Sequence, residues 1–414
     1  MKISREYTIH TFDNGIRWVH MENPHSAVAH CGIMLDIGSR DEKPHQLGLA
    51  HFWEHMAFKG TKTKKSSIIL NRIDSLGGEL NAYTTKEKIC FHASILSKHI
   101  DVAIELLTDI TFNSIFPEKE IEKERHVIIE EMGMYADNPE DSIMDEFDAL
   151  VFRNNPMGNN ILGTKPSVTS FTQNHFFEFL NENLSTNKIV FSSVSNIPAK
   201  TLLPKIKRYL ELIPKTEKAM QRSAIFDENA ESRKFAKKIQ QAHCMLGRRA
   251  YKLTDDNRLP FFMLVNILGG QAMNAWLNMS IREKYGYAYH VDAHYTPFTD
   301  TGLFNVYLGT DKKNIQKSID LVHKEFKRMR EFNISPSKLT AYKEQLKGQM
   351  AMAEENKNGL MLLMAKITLD IGHIETLEQI FDKVDKLSGT HLKEIATSML
   401  KEEDMNYLIF EPEM

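Results

Sequence analysis

The feature that most constrains this chain is an order of elements used twice. The run Phe91-His-Ala-Ser-Ile-Leu reads as a strand and is followed by a helical period over 98–112, by Pro117, and by a second helix to about residue 136. The run Phe304-Asn-Val-Tyr-Leu-Gly has the same sequel: a helical period over 314–330, Pro336, and a helix to 354. Two copies of one such unit predict two homologous domains, each with its own core. Strand runs precede helices in both halves. The expected fold class is therefore α+β, each domain a mainly antiparallel sheet with helices packed against it.

In the first half, alternation over 7–21 around Asp13-Asn14-Gly15 predicts a hairpin, and 28–37 a further strand. A helix over 66–76 stops at Gly77-Gly78, before strands at 80–85 and 88–96. Helices are expected at 141–152, 169–182 and 199–212, with a strand at 187–194. In the second half, strand 239–246 leads to helix 259–268, a Gly269-Gly270 break, helix 273–283, and strands 288–295 and 303–310. Between the halves, PKTEKAMQRSAIFDENAESRKFAKK is charged and poor in apolar anchors. This reads as a linker over 214–238, its tail a candidate edge strand, between domains 1–213 and 239–414.

Composition removes several classes of partner. With 26% charged residues and a net charge of -3, nothing favours nucleic acid, and no polybasic tract favours a membrane surface. The polar N-terminal segment has no apolar core of signal-peptide length, and no stretch elsewhere is of bilayer-spanning length. Cys31, Cys90 and Cys244 are odd in number and far apart. They read as reduced structural thiols, and the expected location is cytoplasmic.

Only the first copy carries a chemical motif, His51-Phe-Trp-Glu-His55 within GLAHFWEHMAFKGT. On a helix, Leu49, Phe52, Trp53, Met56 and Ala57 make an apolar face, and His51 and His55 stand one turn apart, pointing the same way. Two neutral imidazoles so placed can take adjacent corners of a zinc tetrahedron. Glu54 lies beside them, within reach of an attacking water without being a ligand, which suits a general base. A catalytic zinc takes a third protein ligand. On the helix after Pro117, the stripe Ile121, Glu124, Ile128, Glu131 and Tyr135 holds two carboxylates on an otherwise apolar face, where an unpaired acid is costly. The equivalent positions of the second copy are Lys343 and Met350. Spacing leaves Glu131 and its neighbour Glu130 as alternatives for the ligand. Glu124 then becomes the acid that orients a ligand histidine. One zinc per chain is expected.

These runs, with GGELNAYTTKE, KERHVIIEEMGMYADNP and IREKYGYAY, resemble the zinc peptidases of the pitrilysin, insulin-degrading enzyme and mitochondrial processing peptidase family. The H-x-x-E-H order is the inverzincin signature. The resemblance spans nearly the whole chain and is nearest to the small bacterial and processing-peptidase branch. It implies that His51, His55 and Glu131 bind zinc, that Glu54 activates water, and that Glu124 supports. It also implies that Asn81, Ala82, Tyr83 and Thr84 form a strand edge taking an extended peptide, with Asn81 near the scissile bond. Arg282 and Tyr289 resemble the family pair that holds a substrate carbonyl and stabilises the oxyanion; Tyr285 and Tyr287 compete for the latter role. The function implied is a zinc endopeptidase acting on short or unfolded peptides. With a single domain pair, the chain is expected to form a homodimer, or a heterodimer with a related chain. The rivals are a non-catalytic partner subunit of a processing-type complex and a metal hydrolase of non-peptide substrates. Trp53, where a leucine is common, and Ser195, where glycine often ends the strand, depart from the family pattern without touching the chemistry.

Overall fold

The computed structural model describes residues 7–219, 222–226 and 229–413. Strands β1 (Tyr7–Thr11) and β2 (Arg17–Glu22) form the hairpin around Asp13-Asn14-Gly15, where Gly15 takes φ +92°. Such a backbone is open to glycine at little cost. They join β3 (Val28–Leu35), β4 (Glu79–Thr84), β5 (Ile89–Leu96) and β6 (Ile189–Ser195) in a sheet of order β1-β2-β6-β3-β5-β4. All neighbours are antiparallel except β2 and β6. The helices of this half are α1 (Leu49–Met56), α2 (Ser66–Asp74), α3 (Ile100–Phe112), α4 (Glu118–Asp137), α5 (Pro139–Val151), α6 (Lys165–Ser170), α7 (Gln173–Asn183) and α8 (Ala199–Leu210). Helices α1, α3 and α8 lie with one face of the sheet over a core that includes Ile33, Phe91, Ile104, Phe191 and Ile206.

The second half supplies β7 (Ser232–Lys237), β8 (Ala242–Ala250), β9 (Ala288–Pro297), β10 (Gly302–Thr310) and β11 (Asn406–Pro412), in the order β7-β11-β8-β10-β9. This order repeats β2-β6-β3-β5-β4 strand for strand, including the single parallel pair, β7 with β11. The linker's tail thus forms an edge strand, β7. Helices α9 (Arg258–Gly269), α10 (Ile315–Glu331), α11 (Pro336–Ala353), α12 (Lys357–Asp370), α13 (Leu377–Asp385) and α14 (Gly389–Met399) complete the chain. The helix expected over 273–283 begins only at Trp276 and is π-helical over Asn278–Lys284. Asn278 Nδ2 donates to Met273 O at 2.6 Å, tying that stretch into a turn instead.

Two compact units emerge, and they are not simply the two sequence halves. The described residues within 1–133, 159–223 and 352–376 make up one, and those within 134–158, 224–351 and 377–414 the other. Each sheet needs its second face covered, and the covering helix comes from the other copy's stretch of chain. In the first unit, Leu360, Met361, Met364 and Ala365 of α12 bury Val19, Met34, Cys90 and Val190. Ser192 Oγ donates to Met361 O at 2.7 Å, and buried Lys88 Nζ joins Asp36 (2.6 Å) to Asp370 (2.8 Å). In the second unit, Ile143, Phe147 and Leu150 of α5 cover Met245, Tyr307, Leu408 and Phe410.

Candidate metal centre

Helix α1 is oriented by its apolar face. Leu49, Phe52, Trp53 and Met56 are fully buried, with Phe52 against Phe176 and Trp53 against Phe91 at ring-centroid distances of 5.2 and 5.7 Å. Full burial of each large side chain contributes roughly 2–3 kcal/mol, so core packing decides where the polar face points. That face carries His51, Glu54 and His55. The two imidazoles are 4.7 Å apart between centroids.

Helix α4 is held by buried Ile121 and Ile128, which carry Glu124 and Glu131 on the same stripe; Tyr135 lies beyond it and is exposed. Glu131 faces the histidines, whereas Glu130 is exposed. Its Oε1 lies 3.8 Å from His51 Nε2 and its Oε2 3.5 Å from His55 Nε2. These separations are too long for hydrogen bonds. They suit ligands sharing an ion, because donors about 2.0–2.2 Å from a tetrahedral zinc stand roughly 3.4 Å from one another. Among the described residues, His51, His55 and Glu131 are the one His/Cys/Asp/Glu group whose ligand atoms lie mutually close enough, within 4.8 Å, to hold a metal ion.

The surrounding groups match that donor set. Burial, with His55 adding to it, pushes the His51 imidazole down to about 3, so it is neutral, the form in which histidine binds metals. His55 Nδ1 is 3.0 Å from Glu124 Oε2, leaving Nε2 turned to Glu131. The other Glu124 oxygen accepts from Lys59 Nζ at 2.5 Å. Burial raises the Glu124 carboxyl, but the His55 and Lys59 hydrogen bonds outweigh it and hold the group below its ordinary value. Lys59 is one turn beyond His55, and nothing in its spacing had singled it out.

Glu54 is not among the three converging groups. Its Oε2 accepts from Thr84 Oγ1 at 2.5 Å, which ties the motif helix to the end of β4. Burial pushes the Glu54 carboxyl up, opposed by the Thr84 hydrogen bond and the neighbouring His55. A carboxylate so placed accepts a proton more readily than one in water.

Strand β4 pairs only with β5 among the described residues and so is the sheet's outer edge. Leu80 and Ala82 turn to the core shared with α1, as Thr84 does toward Glu54, while Tyr83 turns to the α12 side and Asn81 is exposed. Arg282 and Tyr289 belong to the second unit. Arg282 is exposed on the π-helical turn, and Tyr289 is exposed near the start of the edge strand β9. Tyr285 and Tyr287 stack on each other at 5.4 Å.

Fold and site together define a duplicated α+β protein in which one copy carries a His/His/Glu cluster with a carboxylate beside it. Residues 17–165 match the family model "Insulinase (Peptidase family M16)", and residues 170–346 match "Peptidase M16 inactive domain". The chain is 30% identical over 394 residues to the "uncharacterized zinc protease YmxG" of Bacillus subtilis, covering 95% of this chain and 96% of that one. It is 31% identical over 357 residues to an "uncharacterized zinc protease" of Rickettsia felis, covering 85% of each. Among solved structures, a protease from Helicobacter pylori superposes with a TM-score of 0.91 at 18% identity, over 99% of this chain and 100% of that one. A "peptidase M16 inactive domain" structure from Pseudomonas fluorescens gives 0.90 at 16% identity, over 99% and 98%. The chain belongs to peptidase family M16.

Proposed function

We propose that this protein is a zinc-dependent endopeptidase that hydrolyses short or unfolded peptides. The observation that carries the reading is the convergence of His51 Nε2, His55 Nε2 and both Glu131 oxygens, with Glu54 beside them and outside the set. His51, His55 and Glu131 would hold one zinc ion, which when bound would supply Lewis acidity to a carbonyl and to a water. Glu124, anchored by Lys59, fixes the tautomer and ring orientation of His55. Glu54 takes a proton from the attacking water and delivers it to the leaving amine. The free edge at Asn81, Ala82, Tyr83 and Thr84 takes the substrate as an added strand, so affinity comes from main-chain hydrogen bonds with little sequence preference. Arg282 holds a substrate carbonyl, and Tyr289 stabilises the oxyanion. Three buried free cysteines suit a reducing compartment, and the cytoplasm is the proposed location. No helix among the described residues is long and apolar enough to cross a membrane.

The direct test is elemental analysis of the purified chain with a peptide-digestion assay. The expected result is one zinc per chain and cleavage that a chelator abolishes and added zinc restores. Chelator-insensitive cleavage, or a metal-free chain that binds no zinc, would overturn the reading.

The proposed assembly is a homodimer in which Arg282 and Tyr289 of one subunit act at the zinc site of the other, in keeping with the two-fold symmetry of most dimers. Glu54→Gln chains mixed with chains carrying Arg282→Ala and Tyr289→Phe are then expected to regain about a quarter of wild-type activity. Random pairing makes about half the dimers mixed, and each of those keeps one intact site of its two. No recovery on mixing places the pair in the same subunit as the zinc site it serves.

A further inference from the structure

A buried acid that this mechanism leaves unused stands behind the motif helix. Glu42 is 5% exposed and makes no ion pair among the described residues. Its Oε2 accepts from Gly48 N at 2.9 Å and its Oε1 from Ala50 N at 2.7 Å. Gly48 is the cap residue of α1, and having no side chain it cannot satisfy the helix's first N–H groups itself. Glu42, six residues earlier, does so from inside the protein, its two oxygens acting as the acceptors that a cap side chain would otherwise supply. Burial pushes this carboxyl up, to about 8, against the pull of the Ala50 and Gly48 N–H groups. Both of its oxygens are nevertheless engaged by backbone N–H donors, and it is this geometry that holds the turn.

The other side of the same turn is equally confined. Gly48 has φ +92°, and a Cβ there would meet Leu162 O at 2.4 Å. Gly163 has φ +77°, and a Cβ there would meet Leu47 O at 2.2 Å. The start of α1 is therefore wedged between the Leu162-Gly163 backbone and the Glu42 carboxylate. His51 directly follows Ala50, in the first turn so held. Among the described residues its Nδ1 has no hydrogen-bond partner, so no side-chain bond from them sets the ring's direction. The placement of its Nε2 opposite Glu131 depends on the backbone that carries it.

We infer that Glu42 is a positioning residue for the metal centre: its carboxylate caps α1 at Gly48 and Ala50 and thereby sets where His51 meets Glu131. The inference rests on the zinc reading above, and the experiment separates the two. Zinc affinity is measured by chelator competition on wild type, Glu42→Gln, Glu42→Asp and Asn14→Ala, well below their melting temperatures. Asn14 is the control for lost stability alone. It is equally buried in the same unit, and its Nδ2 holds Leu210 O (2.8 Å) and Ile213 O (2.9 Å) at the end of α8. Glu42→Gln, with one acceptor oxygen, is expected to weaken zinc binding about tenfold or more, and saturating zinc to return kcat to within about twofold of wild type, since outer partners of a metal site carry roughly 10–100-fold in affinity. Glu42→Asp, which keeps two acceptor oxygens on a shorter arm, should fall between, and it carries the test if the glutamine chain does not fold. Asn14→Ala should melt earlier with unchanged zinc affinity. Wild-type affinity in both Glu42 variants, or equal weakening in Asn14→Ala, would overturn the positioning role while leaving the zinc reading intact. Failure of the wild-type chain to bind zinc would overturn the functional reading itself.

Discussion

A Glu54→Gln chain is expected to keep its zinc and its affinity for peptides and to lose a factor of roughly 10²–10⁴ in turnover, the usual worth of a positioned acid–base group. The amide is nearly isosteric with the carboxylate and its oxygen can still accept from Thr84 Oγ1, so the side chain should stay against the end of β4. What it cannot do is take a proton from water. Because Glu54 stands outside the His51, His55 and Glu131 group, metal content should remain at the wild-type ratio. The decisive readouts are zinc per chain, peptide binding and single-turnover cleavage, measured on the same preparation. An unchanged KM with a depressed kcat is the signature of an interaction made in the transition state only. Turnover within about tenfold of wild type would remove Glu54 from the mechanism, and loss of zinc would make it a ligand instead.

How far the sequence reaches is visible in particular elements. The strand-like run Phe91–Leu96 and its echo from Phe304 lead directly to β5 and β10, central strands buried along almost their whole length. The apolar face of α1 is equally legible, since five side chains at helical spacing leave only one way to bury them. What periodicity does not carry is which sheet a helix covers. No element is read from the sequence after 354, and Leu360, Met361 and Met364 read locally like any apolar helix face, yet α12 closes the far face of the first sheet. The segment around Ile143 and Phe147 likewise reads as an ordinary helix of the first half while packing with the second sheet. The same limit applies at the site. Helical spacing finds the histidines and the acidic stripe, but the Lys59–Glu124 and Thr84–Glu54 contacts join elements brought together only by the fold.

The adjacent acids of α4 offer the sharpest mutational contrast in the molecule. Glu131→Gln is expected to lower zinc affinity by about 10²-fold or more, beyond the roughly 10–100-fold cost of disturbing an outer partner, because it removes an anionic donor. Glu130→Gln, one residue away and exposed, should leave zinc content and cleavage within about twofold. Neither substitution should do much to the metal-free fold. The Glu131 oxygens stand 3.8 and 3.5 Å from the imidazoles, too far for hydrogen bonds whose loss would register in stability, and the side chain is partly exposed. Melting temperatures without zinc should therefore coincide, while zinc should raise that of the Glu130 variant far more than that of the Glu131 variant, since stabilisation by a ligand follows its affinity. Cleavage by the Glu131 variant should recover in part with excess zinc. The reverse pattern, with Glu131→Gln intact and Glu130→Gln inactive and metal-free, would mean that α4 turns by one residue when it meets the ion.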